Sequence, residues 1–427
     1  EFKLVDETDE YRDCAITMKK GQPTKPTYKV RFEKGKHDWD YHMLINEKKI
    51  GWWIVEPQRA LANNSVCYEE KPDAEVFIDE WSKLIKSKSG ERGIFNRQAA
   101  KLQVEKHRKR LTNYAFGTNP CSEIILRPRQ FCNLTEVIAR SEDTESDLYD
   151  KVRIATILGT IQSNLTHFPY LRKEWKKNTE EERLLGVSIT GIQGCKVTRE
   201  ASEELLDNLR EAATKCNNHF ANLLGISPSA AITCVKPSGT VSQLTDSSSG
   251  IHPRYSDYYI RTVRGDNKDP MTSFMKDQGI PNEPCISKPE STTIFSFPTK
   301  APDGAVTVDR TNAIEELKLW LRYQRAWCEH KPSVTINVRD DEWMEVGAFV
   351  YKHFDEISGI SFLPFEEHSY KQAPYQKITE EEHEKWMETF PKDINWSLLS
   401  YYEEEDNTTG SQSFACTGGS CEIVDLT

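Results

Sequence analysis

Apolar residues recur at helical spacing over Asp73–Ser87, where Phe77, Ile78, Trp81, Leu84 and Ile85 fall three or four apart and Gly90 follows the end. The longest pattern of this kind covers Glu200–Leu224 and predicts one buried stripe of Leu205, Leu209, Ala212, Cys216, Phe220 and Leu223. Further helices are expected at Gln98–Leu111, which is basic, and at Asp147–Leu165, Ala313–Cys328 and Asp341–His353. Short apolar runs predict strands at Ser122–Leu126 (after a turn at Asn119-Pro120), Leu185–Ile192, Ala230–Val235, Tyr258–Val263, Thr292–Phe297, Ser333–Val338 and Gly359–Phe362. Residues 1–56 mix charge, aromatics and turn residues without a clean period, with strand signals at Thr27–Phe32 and Lys49–Val55. Helices and short apolar strands therefore alternate, which predicts an α/β architecture built on a largely parallel sheet or barrel. No internal repeat is visible, and the acidic, polar stretch Glu403–Gln412 reads as a flexible linker.

Composition narrows the class. The chain has 427 residues, and 56 Lys+Arg against 67 Asp+Glu give a net charge of −11. An acidic protein is a poor coat for nucleic acid, so no nucleic-acid partner is expected. Mean hydropathy is −0.67, and no apolar run reaches the roughly 18 residues of a membrane span, so no membrane association is expected. The 11 cysteines are odd in number and no secretion signal opens the chain. Reduced thiols and a cytoplasmic location follow as expectations. The chain opens with Glu-Phe rather than Met, which suggests processing or a longer parent polypeptide.

Three features carry candidate chemistry. The first is Asn119-Pro120-Cys121-Ser122-Glu123, with Cys132 eleven residues beyond Cys121. On a strand, Cys121 and Glu123 would share a face, setting a thiol beside a carboxylate. Such a pair suits a reaction in which sulfur handles a hydrogen atom and the carboxylate a proton. A buried cysteine next to a capping glutamate would give the same letters. The second is Cys416-Thr-Gly-Gly-Ser-Cys421 at the end of the chain. Two cysteines separated by two glycines can close a small disulfide ring and exchange with another disulfide, while a zinc half-site or an inert end remains open. The third is Lys236-Pro-Ser-Gly-Thr-Val-Ser242, directly after a predicted strand. Its small residues let backbone N–H groups and hydroxyls approach a phosphate, although a polar turn has the same composition. It is not a Walker A loop, whose Lys follows the second Gly. Gly186-Val-Ser-Ile-Thr-Gly191 lacks the dinucleotide-binding fingerprint.

Taken together and in this order, the three features resemble the ribonucleotide reductase catalytic subunit, and most closely the adenosylcobalamin-dependent (class II) triphosphate reductases. Supporting stretches are Asn63-Asn-Ser-Val66, Ser89-Gly-Glu-Arg-Gly-Ile-Phe-Asn-Arg97, Gly117-Thr-Asn-Pro-Cys-Ser-Glu-Ile124, Phe131-Cys-Asn-Leu-Thr-Glu136, Glu182-Arg-Leu-Leu-Gly-Val187 and Lys236-Pro-Ser-Gly-Thr-Val-Ser-Gln243. The resemblance implies that Cys121 carries a transient thiyl radical that abstracts the ribose 3′ hydrogen. Glu123 would be the base for the 3′-OH proton, and Asn119 would hydrogen-bond the substrate hydroxyls. Cys132 would be one of two cysteines that reduce the 2′ position, and Cys416 and Cys421 would re-reduce the resulting disulfide. Ser238, Gly239, Thr240 and Ser242 would hold the phosphates of a ribonucleoside triphosphate or diphosphate. Gly250-Ile-His-Pro-Arg254 is similar to the family segment that follows. The implied cofactor is adenosylcobalamin and the implied reductant a thioredoxin-like protein.

The implied fold is part of a ten-stranded α/β barrel with a central finger loop, followed by a flexible C-terminal tail. On this reading residues 1–56 form a segment of uncertain fold, 57–400 a partial catalytic barrel and 401–427 a redox-active cysteine tail. The family pattern begins well before Asn63, so the chain is expected to need an N-terminal half, including a partner for Cys132; Cys14 and Cys67 are the candidates inside the chain. Open strand edges would favour association. Two alternatives stand beside this reading. One is a class I-type large subunit fed by a separate metal-radical subunit, for which Tyr258-Tyr259 or Tyr401-Tyr402 would have to relay a radical, although both pairs also read as ordinary strand or linker aromatics. The other is a noncatalytic nucleotide-binding or assembly module.

Overall fold

The computed structural model describes residues 65–403 apart from 88–92, 108–109, 287 and 366–371, together with five strand backbones within residues 2–50. Two compact units result, one over Glu1–Asn63 and a larger one that begins at Asn64. The first contains an antiparallel meander: β1 (Phe2–Glu7), β2 (Tyr11–Ile16), β3 (Tyr28–Lys34), β4 (Trp39–Ile45) and β5 (Lys48–Ile50), each paired with the next. A period of two is plain in β3, where Tyr28, Val30 and Phe32 alternate with Lys29, Arg31 and Glu33. The strand signal at Thr27–Phe32 matches β3, whereas that at Lys49–Val55 coincides only with β5.

The larger unit is mixed α/β. Its strands are β6 (Ser65–Tyr68), β7 (Gly93–Asn96), β8 (Gly117–Thr118), β9 (Ile125–Leu126), β10 (Asn133–Ile138), β11 (Leu185–Thr190), β12 (Thr233–Cys234), β13 (Tyr258–Asp266), β14 (Asn282–Pro284), β15 (Thr292–Lys300), β16 (Thr335–Val338), β17 (Gly359–Pro364) and β18 (Tyr375–Lys377). β10, β11 and β12 pair in parallel. A parallel bridge from Val235 to Pro332 carries this sheet on towards β16, which pairs in parallel with β17. The direction then reverses: β17 is antiparallel to β7, and β7 is parallel to β6. β14-β15-β13-β18 is a separate, wholly antiparallel sheet. The expectation of a largely parallel sheet therefore holds for one part of the unit and not for this one. Among the described residues no sheet closes on itself.

The main helices are α1 (Ala74–Ser87), α2 (Arg97–His107), α3 (Glu145–Gln162), α4 (Lys173–Glu182), α5 (Glu203–Leu224), α6 (Ala313–Ala326) and α7 (Trp343–Lys352), of which α3 and α5 share one core with β10 and β11. Thr144 caps α3 in a reciprocal capping box with Asp147, and Ser202 caps α5 through the Leu205 N–H. Every residue of β11 is buried. Leu185, Val187 and Ile189 lie in one core cluster with Val137 of β10, Leu148, Val152 and Ala155 of α3 and Leu206, Leu209 and Ala213 of α5. Burying each such aliphatic side chain stabilises the fold by about 1.5–3 kcal/mol. The buried stripe of α5 is Leu206, Leu209, Ala213, Asn217 and Ala221, not the predicted one, and Leu223 is 68% exposed. Asn217 is the cause. Its Nδ2 donates to Thr160 Oγ1 at 2.9 Å and Ser229 Oγ at 3.0 Å, and its Oδ1 accepts from the Ser229 N–H. These bonds fix the rotation of α5 on α3, and a pattern that counts only apolar residues passes over Asn217.

Candidate active site

β8 and β9 form a two-rung hairpin whose tip is Asn119–Ile124. The Ser122 N–H donates to Asn119 O at 2.9 Å, and the Ile124 N–H donates to Asn119 Oδ1 at 3.0 Å. Ser122 takes a left-handed φ of 69°. Cys121 and Glu123 therefore sit in a turn, and the predicted strand over Ser122–Leu126 shrinks to Ile125–Leu126. Strand alternation does not relate the thiol to the carboxylate; the turn does.

Turn and neighbours still bring the candidates together. Glu123 is 1% exposed, and its Oε2 has no hydrogen-bond partner among the described residues. Burial raises its carboxyl above the usual range, while the Asn119 side chain, a backbone N–H, Lys331 and Lys236 oppose that rise. Half-buried Cys121 is pushed up to about 11 by burial and then by the Glu123 charge, against Lys236 and Lys331. Cys132 is also pushed up by burial and by Glu123, against Lys236. Asn119, Cys121, Glu123 and Cys132 thus share one electrostatic neighbourhood, with Lys236 common to three of them. The segment between the two cysteines is braced by buried charge. Arg110 donates from Nη1 to Ile125 O at 2.8 Å and from Nη2 to Glu182 Oε2 at 3.0 Å, and the Ile125 N–H donates to His330 Nδ1 at 3.2 Å.

The loop after β12 lies in the same neighbourhood. The Lys236 N–H donates to Ser188 Oγ at 2.9 Å, and Lys236 Nζ stands 3.8 Å from Glu136 Oε2. Buried Ser238 has φ 55°, and its Oγ has no partner among the described residues. Gly239 is half-buried, Thr240 is exposed, and Ser242 Oγ shares a 2.8 Å hydrogen bond with Ser249 Oγ. Farther on, His252 lies between Ser249 O (3.0 Å from Nδ1) and the Thr335 N–H, which donates to Nε2 at 3.0 Å. Arg254 pairs with Asp246 at 2.9 Å. Cys416 and Cys421, the side chain of Cys14 and the linker over 404–412 lie outside the described residues. Cys67 of β6 is exposed, and its nearby charges are Arg97 and Glu69 rather than Glu123.

Sequence reasoning missed Lys331, which is 1% exposed, and Cys234, which is fully buried beside Glu123, Cys328, Cys132 and Glu136. The only signal was the run Cys328-Glu-His-Lys331, four chemistry-bearing residues just beyond an amphipathic helix. The tyrosine pairs behave as ordinary aromatics. Tyr258 bonds Glu380, while the Tyr259 ring meets Tyr255 and Tyr375. Tyr402 donates to Asp277, and Tyr401 is 74% exposed.

No family model matches the chain. Over 370 residues it is 27% identical to the adenosylcobalamin-dependent ribonucleoside-triphosphate reductase of Lactobacillus delbrueckii subsp. bulgaricus, which covers 78% of this chain and 50% of that protein. The chain is thus similar in sequence to adenosylcobalamin-dependent ribonucleoside-triphosphate reductases. The reductase of that name from Euglena gracilis is 28% identical over 314 residues, 72% of this chain and 42% of its own length. The fold agrees: a crystal structure described as a B12-dependent (class II) ribonucleotide reductase superposes with a TM-score of 0.65 at 24% identity, over 80% of this chain and 52% of that one. The chain spans about half the length of the curated relatives it matches.

Proposed function

We propose that this chain carries the radical-cysteine half of an adenosylcobalamin-dependent ribonucleoside-triphosphate reductase, which converts ribonucleotides to 2′-deoxyribonucleotides for DNA synthesis. The observation that supports this most directly is the turn at Asn119–Glu123, which holds a half-buried thiol beside a buried, incompletely bonded carboxylate, with Cys132 in the same field. Cys121 takes the 3′ hydrogen atom of the ribose, and Glu123 takes the 3′-OH proton. Burial suits Glu123 to this task, because a carboxyl raised towards neutrality is a stronger proton acceptor. Asn119 holds Glu123 and the turn, and meets the substrate hydroxyls. Ser238, Gly239, Thr240 and Ser242 receive the phosphates beside Lys236. Cys132 and a second thiol supply the two electrons that reduce the 2′ position. Cys416 and Cys421 restore that dithiol and are recharged by a thioredoxin-like protein in the cytoplasm.

Cys121 keeps accessible surface, as a thiol oxidised by a bound cofactor must. When bound, adenosylcobalamin supplies the radical equivalent that oxidises the Cys121 thiol. The arc β10-β11-β12-β16-β17-β7-β6 is the part of a ten-stranded barrel this chain provides, with the hairpin β8–β9 as its finger, and a further segment supplied by an N-terminal half completes it. Residues 57–400 form this catalytic portion and 401–427 the redox tail.

Conversion of a ribonucleoside triphosphate to its deoxy form, assayed with and without adenosylcobalamin and with a supplied N-terminal half, tests the reading. Product that requires the cofactor supports it. Product without the cofactor favours the class I-type alternative, and nucleotide binding with no product in any combination favours the noncatalytic one. Cys416→Ser should abolish turnover driven by thioredoxin and spare turnover driven by a small dithiol; equal loss with both would remove the tail from the cycle.

A further inference from the structure

The segment leading into β16 grips the Cys121 turn at three successive residues. Ser333 Oγ donates to Cys121 O at 2.6 Å, Lys331 Nζ donates to Ser122 Oγ at 3.2 Å, and the Lys331 N–H donates to Glu123 O at 3.2 Å. The middle contact bears on the residue in the left-handed conformation, which costs an L side chain about 1–2 kcal/mol unless its surroundings hold it. Gly359 of β17 makes room for this contact. A Cβ there would come within 2.8 Å of Ser122 Oγ and 3.1 Å of Lys331 Nζ. An ammonium group so enclosed is expensive unless its charge is used by a neighbour. The groups facing it are Glu123 and Cys121 on the turn, Cys234 of β12 and Cys328 after α6, and Lys236 is the second cation near Glu123. Glu123 is the one carboxyl among these groups and the nearest in effect, so the field of Lys331 falls chiefly on it.

We propose that Lys331 is a positioning residue for the chemistry of Cys121 and Glu123: its buried ammonium pins the turn through Ser122 and biases Glu123 toward its ionised, proton-accepting form. This assignment rests on the proposed reductase function for its catalytic consequence, but not for its geometry. Desolvation lowers the lysine itself to about 8, so its influence fades as the pH rises through that value.

The test uses Lys331→Met, Lys331→Arg and Ser122→Ala in the complete enzyme. Without the cation Glu123 holds its proton to higher pH. The acid limb of kcat/KM in Lys331→Met should therefore move up by about one pH unit, a tenfold loss on the acid side that closes once the pH exceeds the variant's limb. Lys331→Arg, which keeps the charge, should retain the wild-type limb, and Ser122→Ala should lower kcat without moving it. A limb unmoved in Lys331→Met, or moved equally in Lys331→Arg, overturns the proposal. If Lys331→Met fails to fold, an arginine variant with a displaced limb overturns it on its own. A second measurement needs no turnover: alkylation of Cys121 by iodoacetamide at pH 7, followed by mass spectrometry. At a pH where Glu123 is ionised in both proteins, loss of the cation disfavours the thiolate, so Lys331→Met should react about threefold to tenfold more slowly. Slower alkylation in a protein that never reduces nucleotides supports the lysine assignment and defeats the proposed function. A working reductase whose variant alkylates and titrates like the wild type defeats the lysine assignment alone.

Discussion

The two faces of the sheet β10-β11-β12 differ in kind. On the helix side Thr135 and Leu185 lie against Gly159 of α3, and Val137, Val187 and Ile189 continue the same core. On the other side stand Leu134, Glu136, Gly186, Ser188 and Cys234, facing Ile124 of the hairpin. Both faces of β11 are equally buried, so burial does not distinguish them. What differs is chemistry. The helix side is mainly aliphatic, with Thr135 and Thr233 among the aliphatic groups. The hairpin side holds small residues, hydroxyls, thiols and charges, several of them unsatisfied, including Glu123 Oε2, Glu136 Oε1 and Ser238 Oγ. Native interiors rarely leave polar atoms orphaned, and on the helix side of this sheet Thr135 Oγ1 is the corresponding exception.

This contrast can be broken by substitution on each side. The largest expected effect is on the hairpin side: Cys121→Ser should abolish deoxynucleotide formation while leaving nucleotide binding, measured by calorimetry, and the melting temperature unchanged. Turnover above background would end the radical assignment. On the helix side, Leu185→Ala should cost about 2–5 kcal/mol in denaturant unfolding, because a fully buried side chain leaves a cavity. Its effect on turnover should disappear when activity is normalised to folded protein; a specific activity that falls further would show that the two faces are not separable. The smallest effect is expected from Gly186→Ala, whose Cβ would fall 2.5 Å from Leu134 Cδ2, 2.9 Å from Ile124 Cδ1 and 3.3 Å from Cys234 Sγ. Overpacking of this kind costs about 1–3 kcal/mol. Because Ile124 closes the hairpin tip that carries Cys121 and Glu123, kcat should fall with a smaller change in KM. A loss of stability with no change in kcat would mean the hairpin does not sense the sheet.

Much of the secondary structure was legible in the chain. Helices α1, α6 and α7 and strands β11, β13, β15 and β17 fall close to where apolar spacing put them, because each buries one stripe or one continuous run. Errors arose where polar groups set the geometry. Asn217 turned α5, and the left-handed Ser122 turned an expected strand into a hairpin tip. The antiparallel sheet β14-β15-β13-β18 also escaped, since strand direction is decided by partners far apart in sequence.

The amino-acid order alone determined which side chains could do chemistry: Asn119, Cys121, Glu123, Cys132 and the loop after Val235 stand out by residue type and local spacing. Only the tertiary structure decided which buried groups surround them. Lys331 is more than two hundred residues from Ser122 along the chain, and the parallel bridge beside Val235 brings it to the turn. Local spacing can encode a turn or a stripe, but the field acting on a buried carboxylate comes from whatever the folded chain packs against it.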